Sequence, residues 1–394
     1  MVRQHRRAAS AVALPALCLA LGACAPEDER PPRADFSSGG TPAAGGGPGI
    51  ILPPEPTLPG CTGSERIRVL SDVPRLYFVL DRSASMAQAL GSGSRSKWQS
   101  AQAAVTRVLR AIGHRVEYAA AVFPSIVSAC AAGREVFPFT QGDPPTYAAS
   151  GTTGPILQDF VQRLAVIDPV GGTPTAATLA AVHEKLEGVS VRSAVVLATD
   201  GAPNCNPEAE CTSAACIPDL EGAVFGANRC GVDASCCDAK VLGPGAGSNC
   251  VDEAETLRAI ESLAASGIPT YVIGLPGAEP YAAVLDRLAH AGGTARDGDT
   301  AYYAVSDAPA LERALFEIGT GVAITCDLAL ANKPAKANLV NVFFDGEPVP
   351  QNPDNGWDWD SETTLSLRGE ACTHLRSGNV LTVDVTYGCL TIVE

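Results

Sequence analysis

Apolar residues follow two alternating rhythms along this chain. Residues 76–80, Leu-Tyr-Phe-Val-Leu, form an unbroken apolar run ending at Asp81. A short run without a polar break predicts a strand buried on both faces. Residues 97–112 then place Trp98, Ala101, Val105, Val108, Leu109 and Ile112 on one side of a 3.6-residue repeat, which predicts a helix. A second strand is predicted over 116–123. Helices follow at 156–165, through Ile156, Phe160, Val161 and Leu164, and at 174–186, through Leu179, Val182 and Leu186. Ser-Ala-Val-Val-Leu-Ala, 193–198, is another buried strand, and it runs into Thr199-Asp200-Gly201. After an interruption the alternation resumes. A helix spans 252–265, with Leu257, Ile260 and Leu263 inward, and a strand spans 269–275. The next helix, 281–290, is stopped by Gly292-Gly293; a strand at 301–305 and a helix at 308–318, capped by Asp307, complete the series. Repeated strand–helix units imply an α/β fold: a doubly wound, Rossmann-like, mostly parallel sheet with helices on both faces. Ligands of such sheets bind at the carboxyl ends of the strands, where Asp81 and Asp200 fall.

The rhythm fails in three places. Residues 24–60 are rich in Pro, Gly, Ser and acidic side chains and cannot bury enough surface to fold, so they read as a tether. Residues 204–250 are crowded with cysteine and small residues and read as a disulfide-stapled insertion into the domain spanning 61–326. Residues 327–394 carry strand patterns at 339–344, 364–367 and 380–385 around turn signals such as Asp345-Gly346 and Asn355-Gly356, with no helical pattern. They are expected to form a small all-β appendage.

Charge and cysteine usage narrow the setting. The net charge is −15, and it is more negative once residues 1–23, with Arg3, Arg6 and Arg7, are removed. Such a chain has no general attraction for nucleic acid phosphates or an anionic membrane surface. Residues 1–23 have a basic start, a short apolar run and small residues before Cys24, which marks a secretory signal. Leu21-Gly22-Ala23-Cys24 is similar to the lipobox of bacterial lipoproteins. That resemblance implies cleavage before Cys24 and its acylation, a stable membrane anchor, with Ala25 pointing to the outer membrane. The plainer alternative is an ordinary signal peptide cut near Ala23. There are 14 cysteines; without Cys18 and Cys24 an even number remains, which in an exported chain implies disulfides. Zinc would require Cys-x-x-Cys pairs or supporting histidines, and after export only His114, His183, His290 and His374 remain.

Three motifs carry the chemistry. Asp81-Arg82-Ser83-Ala84-Ser85 follows the first buried strand, Gly171-Gly172-Thr173-Pro174-Thr175 precedes a helix, and Thr199-Asp200-Gly201 ends a later strand. In this order, over residues 61–326, they resemble the metal-ion-dependent adhesion site of the von Willebrand factor A (VWA) family. The resemblance implies that Asp81, Ser83, Ser85, Thr173 and Asp200 ligate Mg2+ (or Mn2+ or Ca2+), directly or through water. Hydroxyl and carboxylate oxygens suit hard divalent cations. The resemblance also implies that an acidic side chain of a protein or matrix partner completes the coordination. A bland reading, in which Asp81 and Ser83 only cap the next helix, would account for one motif but not for three. The two ends of this fold lie close together, so a Cys61–Cys326 bridge is expected, leaving Cys372 and Cys389 to pair in the appendage. Cys130 and the insertion cysteines would form further bridges of unreadable connectivity.

Two other segments are decoys. His183-Glu184 lacks the second histidine of a zinc-protease helix, and residues 354–360 lack EF-hand spacing. With no Gly-x-Ser-x-Gly elbow or phosphate loop, the chain reads as a non-enzymatic, envelope-anchored adhesion or interaction module. The alternative is an envelope-assembly scaffold in which the metal is only a clamp.

Overall fold

The structure, a computed structural model, describes residues 63–67, 73–125, 127–217, 237–376, 380 and 382–392. The expected signal (1–23) and tether (24–60), with Cys24, and also Cys61, Cys230 and Cys236, lie outside the described residues. A short strand β1 (Gly63–Ile67) precedes the buried strand β2 (Arg75–Asp81), helix α1 (Lys97–Ile112) and β3 (Glu117–Phe123). Then come β4 (Arg134–Gln141), a one-turn helix α2 (Pro145–Ala149), α3 (Pro155–Ala165), α4 (Thr175–Leu186) and β5 (Ser193–Thr199). Within the insertion lies a short α5 (Ala239–Leu242). Alternation continues with α6 (Glu253–Ala265), β6 (Thr270–Gly274), α7 (Ala282–Ala291), β7 (Tyr303–Ala304) and α8 (Ala308–Ala323). Among the described residues no helix is long and apolar enough to cross a membrane.

These strands form a six-stranded sheet in the order β4-β3-β2-β5-β6-β7, parallel except for β4. Period-two alternation divides each central strand between two cores. Leu76, Phe78 and Leu80 of β2, with Val196 of β5, pack toward α1, α3 and α8. Tyr77 and Val79, with Val195 and Leu197, pack toward α4, α6 and α7. Helices therefore cover both faces, and the strands are apolar throughout because neither face meets water. Local signals set the helix ends. Ser96 and Gln99 form a reciprocal capping box at the start of α1, and Asp307 accepts the Ala310 N–H at 2.8 Å to open α8.

The apolar pattern does not announce strand β4. It is an edge strand with Pro138 in its middle, and only one of its residues is fully buried, so it lacks the apolar run by which the central strands announce themselves.

Beyond α8 the chain forms β8 (Asp327–Ala329), β9 (Val340–Phe344), β10 (Glu347–Val349), β11 (Trp357–Ser361), β12 (Thr364–Leu367), α9 (Gly369–Arg376) and β13 (Val383–Tyr387). The expected strands are present and pair antiparallel, in two sheets ordered β1-β13-β9-β10 and β11-β12-β8. The region is not all-β, however: α9 buries Ala371 and Leu375. Its buried residues, including Val342, Trp357, Leu365 and Val385, are continuous with the core under α1 and α8.

The expected pairings of Cys326 with Cys61, and of Cys372 with Cys389, are both overturned, because Cys326 bonds to Cys372. The reason is register. β8 pairs with β12, the Leu367 N–H donates to the Cys326 carbonyl at 2.8 Å, and α9 starts two residues after β12. This places the Cys326 and Cys372 Cα atoms 5.4 Å apart. Cys389 is also disulfide-bonded.

Candidate metal centre

The strand order determines where a site can form. From β2 the chain moves outward to β3 and β4, then returns to the other side of β2 as β5 and continues outward to β6 and β7. The connections leaving β2 and β5 therefore diverge, and a crevice opens at the carboxyl ends of these two adjacent strands. Asp81 is the last residue of β2, and Asp200 directly follows β5.

Both carboxylates are buried. Asp81 is held at each oxygen: the Ser83 N–H donates to Oδ1 at 2.7 Å, and the Thr199 hydroxyl donates to Oδ2 at 2.6 Å. The first bond folds the Asp-x-Ser turn so that the Ser83 and Ser85 hydroxyls come within 3.1 Å of each other. Both approach Asp200 Oδ1, Ser85 at 2.8 Å and Ser83 at 3.5 Å. The other Asp200 oxygen, Oδ2, accepts from the Lys97 ammonium at 2.6 Å in an ion pair almost closed to solvent.

The Gly-Gly-Thr loop is joined to this cluster through its backbone. The Ala84 N–H donates to the Gly171 carbonyl at 3.0 Å, and Val170 N–H to the Arg82 carbonyl at 2.7 Å. Gly171 has φ +84°, and a Cβ there would lie 2.7 Å from the Ala129 carbonyl oxygen, so the position requires glycine. Thr173, itself buried, is fixed by Asn204. The Asn204 side chain accepts the Thr173 N–H at 2.7 Å, and the Asn204 N–H returns to the Thr173 carbonyl at 2.9 Å. A Cys130–Cys205 disulfide ties the loop after β3 to the loop after Asp200. Direct side-chain hydrogen bonds thus link Ser83 and Ser85 to Asp200, a backbone bond joins Ser83 to Asp81, and Thr173 reaches the same end of the sheet through the backbone.

The electrostatics of this arrangement are strained in the direction a cation would relieve. Burial, and then the proximity of Asp200, push the Asp81 carboxyl up to about 7, against the opposing effect of the Thr199 and Ser83 bonds. The Ser83, Ser85 and Asp200 oxygens, 2.8 to 3.5 Å apart, stand close enough together to face one small ion. The donor set is all oxygen, and it fits a hard divalent ion.

Sequence reasoning singled out the five candidate ligands and missed three supporting groups. Thr199 and Asn204 act on partners 118 and 31 residues away, which no local pattern announces. Lys97 was visible only as a polar residue opening a helix, although a cation at the first position of a helix opposes the helix dipole, which is a signal in itself. In the insertion, the Cys211–Cys250 and Cys216–Cys237 disulfides agree with the expected oxidised state. The sulfurs of Cys211, Cys237 and Cys250 lie within 4.8 Å of one another, but disulfide sulfurs offer no thiolate to zinc.

The sequence matches no protein-family model and no curated protein. Among solved structures, the PilB minor pilin from Streptococcus sanguinis is similar at 15% identity and TM-score 0.41, over 66% of this chain and 62% of that one. The pilus adhesin SpaC from Lactobacillus rhamnosus GG, in its open conformation, is similar at 15% identity and TM-score 0.43, over 80% of this chain and 39% of that one. The vWF domain of the type V pili tip protein Mfa5 from Porphyromonas gingivalis gives 14% identity and TM-score 0.39, over 63% of this chain and 96% of that one. The chain thus spans less than two thirds of the PilB and SpaC chains. Likenesses at this level leave the functional assignment to the geometry of the site.

Proposed function

We propose that this chain is a VWA-type binding module of an exported lipoprotein, anchored through Cys24 in the cell envelope, with the outer membrane as its expected location. In this reading Asp81, Ser83, Ser85, Thr173 and Asp200 hold a divalent cation, and that cation supplies a Lewis-acidic position for an acidic oxygen of a protein or matrix partner. The observation that carries the reading is the cluster itself. The Ser83 and Ser85 hydroxyls and the buried Asp200 carboxylate lie within hydrogen-bond reach of one another, beside the buried Asp81 that binds the Ser83 backbone, at the switch point of a doubly wound sheet. The all-oxygen donor set suits Mg2+, Mn2+ or Ca2+. The role is binding, not catalysis: the hydroxyls address carboxylates and each other, and the sequence carries no nucleophile elbow or metalloprotease motif.

Titration calorimetry with Mg2+ and Mn2+ on the soluble chain from Ala25 onward tests this. Saturable binding that is lost in both Asp81→Ala and Thr173→Ala is the expected result. Absence of binding in the unaltered chain would refute the site and leave the envelope-scaffold alternative.

A further inference from the structure

Among the described residues of the site, Lys97 is one that a cation-binding role does not call for. Its side chain is 4% exposed, and its ion-pair partner, Asp200, has a side chain fully buried. It also opens α1, where the positive end of the helix dipole disfavours a cation. Burial and the dipole both oppose a lysine here, yet the ammonium is closely held. Asp200 Oδ2 lies at 2.6 Å and Gln88 Oε1 at 3.4 Å. The loop after β6 also closes on it, since a Cβ on Gly277 would lie 3.1 Å from Nζ. A residue that breaks local preference, and is then enclosed by several separate segments, points to a role at the site.

Building on the proposed cation site, we infer that Lys97 is a fixed internal counter-charge that weakens the divalent ion's hold and leaves the loaded centre with an unmet positive charge. The arithmetic of charge is simple. Asp81 and Asp200 alone would neutralise a divalent cation. With the Lys97 ammonium bonded to one of the two carboxylates, the same set brings a single net negative charge, so the loaded centre is positive by one. A carboxylate from a partner restores neutrality. Lys97 therefore favours a site that holds its cation loosely alone and firmly once an anionic ligand is in place. It is a specificity-determining residue for anionic partners and acts without touching them.

The test is Mn2+ affinity by calorimetry at constant pH and ionic strength, on the unaltered chain, Lys97→Met and Lys97→Arg. Methionine keeps the stem and removes the charge; arginine keeps the charge. A charge acting across a few ångströms of buried protein is worth far more than one at the surface, so Lys97→Met should bind Mn2+ at least about tenfold tighter and Lys97→Arg within a few-fold of the unaltered chain. Thermal melts provide a second readout. With chelator, Lys97→Met should melt lower than the unaltered chain, because the buried Asp200 carboxylate loses its counter-charge, and it should gain more on adding Mn2+. Mn2+ binding that is unchanged or weaker in Lys97→Met overturns this inference while leaving the cation site standing. Absence of saturable binding in every variant overturns both.

Discussion

Replacing Asp81 with asparagine removes a charge from a position where the fold works against carrying it. The Asp81 carboxyl is raised from 3.8 to about 7 in the folded protein, by burial first and the neighbouring Asp200 second. Without a divalent cation, the folded chain therefore holds a proton that the unfolded chain releases across this range. The stability linked to that proton is fully present below about pH 4 and is lost as pH rises through about 7. At about 1.4 kcal/mol per unit, the loss is a few kcal/mol. Asp81→Asn cannot titrate, so its stability should lack this component. The amide also turns an N–H2 toward either the Ser83 N–H or the Thr199 hydroxyl, which donate to the two Asp81 oxygens at 2.7 and 2.6 Å. That mismatch lowers stability by an amount independent of pH, so the diagnostic quantity is the slope of the difference and not its offset. The assay is denaturant unfolding of both proteins in chelator at pH 4.5, 6 and 7.5. The unaltered chain should lose stability relative to Asp81→Asn with each step upward, and saturating Mn2+ should abolish or reverse that trend for the unaltered chain. Parallel stability curves, or a relative gain for the unaltered chain as pH rises in chelator, would refute the electrostatic account of the site.

Three further perturbations address the supports of the site and fold. Thr199→Val keeps the shape of the side chain but removes the donor to Asp81 Oδ2; by analogy with other outer-shell partners it should weaken Mn2+ binding roughly 10–100-fold, read by calorimetry. Gly171→Ala places a Cβ against the Ala129 carbonyl at positive φ, and unfolding should register a cost of about 1–3 kcal/mol with a parallel loss of Mn2+ affinity. Removing the Cys326–Cys372 bridge, with its sequence separation of 46, by a double change to alanine should lower stability by about 4 kcal/mol in the chain-entropy view. Peptide mapping of the non-reduced protein should recover those two cysteines joined.

Much of the fold was written in local patterns. The run ending at Asp81, the run ending at Thr199-Asp200 and the periodic helices between them each needed only a short stretch of sequence, because burial on both faces forces uninterrupted apolar residues. The five candidate ligands were singled out by the resemblance of three motifs to the VWA metal site, and the patterns alone placed only Asp81 and Asp200, at the ends of their strands. Strand β4 was hidden because an edge strand is asked for little apolar surface and tolerates Pro138. Helix α9 was hidden because its eight residues bury only Ala371 and Leu375, too few to make a rhythm.

The sequence by itself determined the class of sheet, the order of strands and helices along most of the chain, and which oxygens stand at the strand ends. Only the tertiary structure decided which strands became neighbours, and with that the rest followed. Placing β5 beside β2 brought Lys97 to Asp200 and Thr199 to Asp81, across more than a hundred residues of chain. Pairing β8 with β12 chose Cys372 as the partner of Cys326, and pairing β1 with β13 joined the first described strand to the last. Periodicity records how each segment meets its surroundings. It does not record which segment provides them, because any apolar strand of the right length would satisfy the same pattern, and the choice rests on the packing of the whole core.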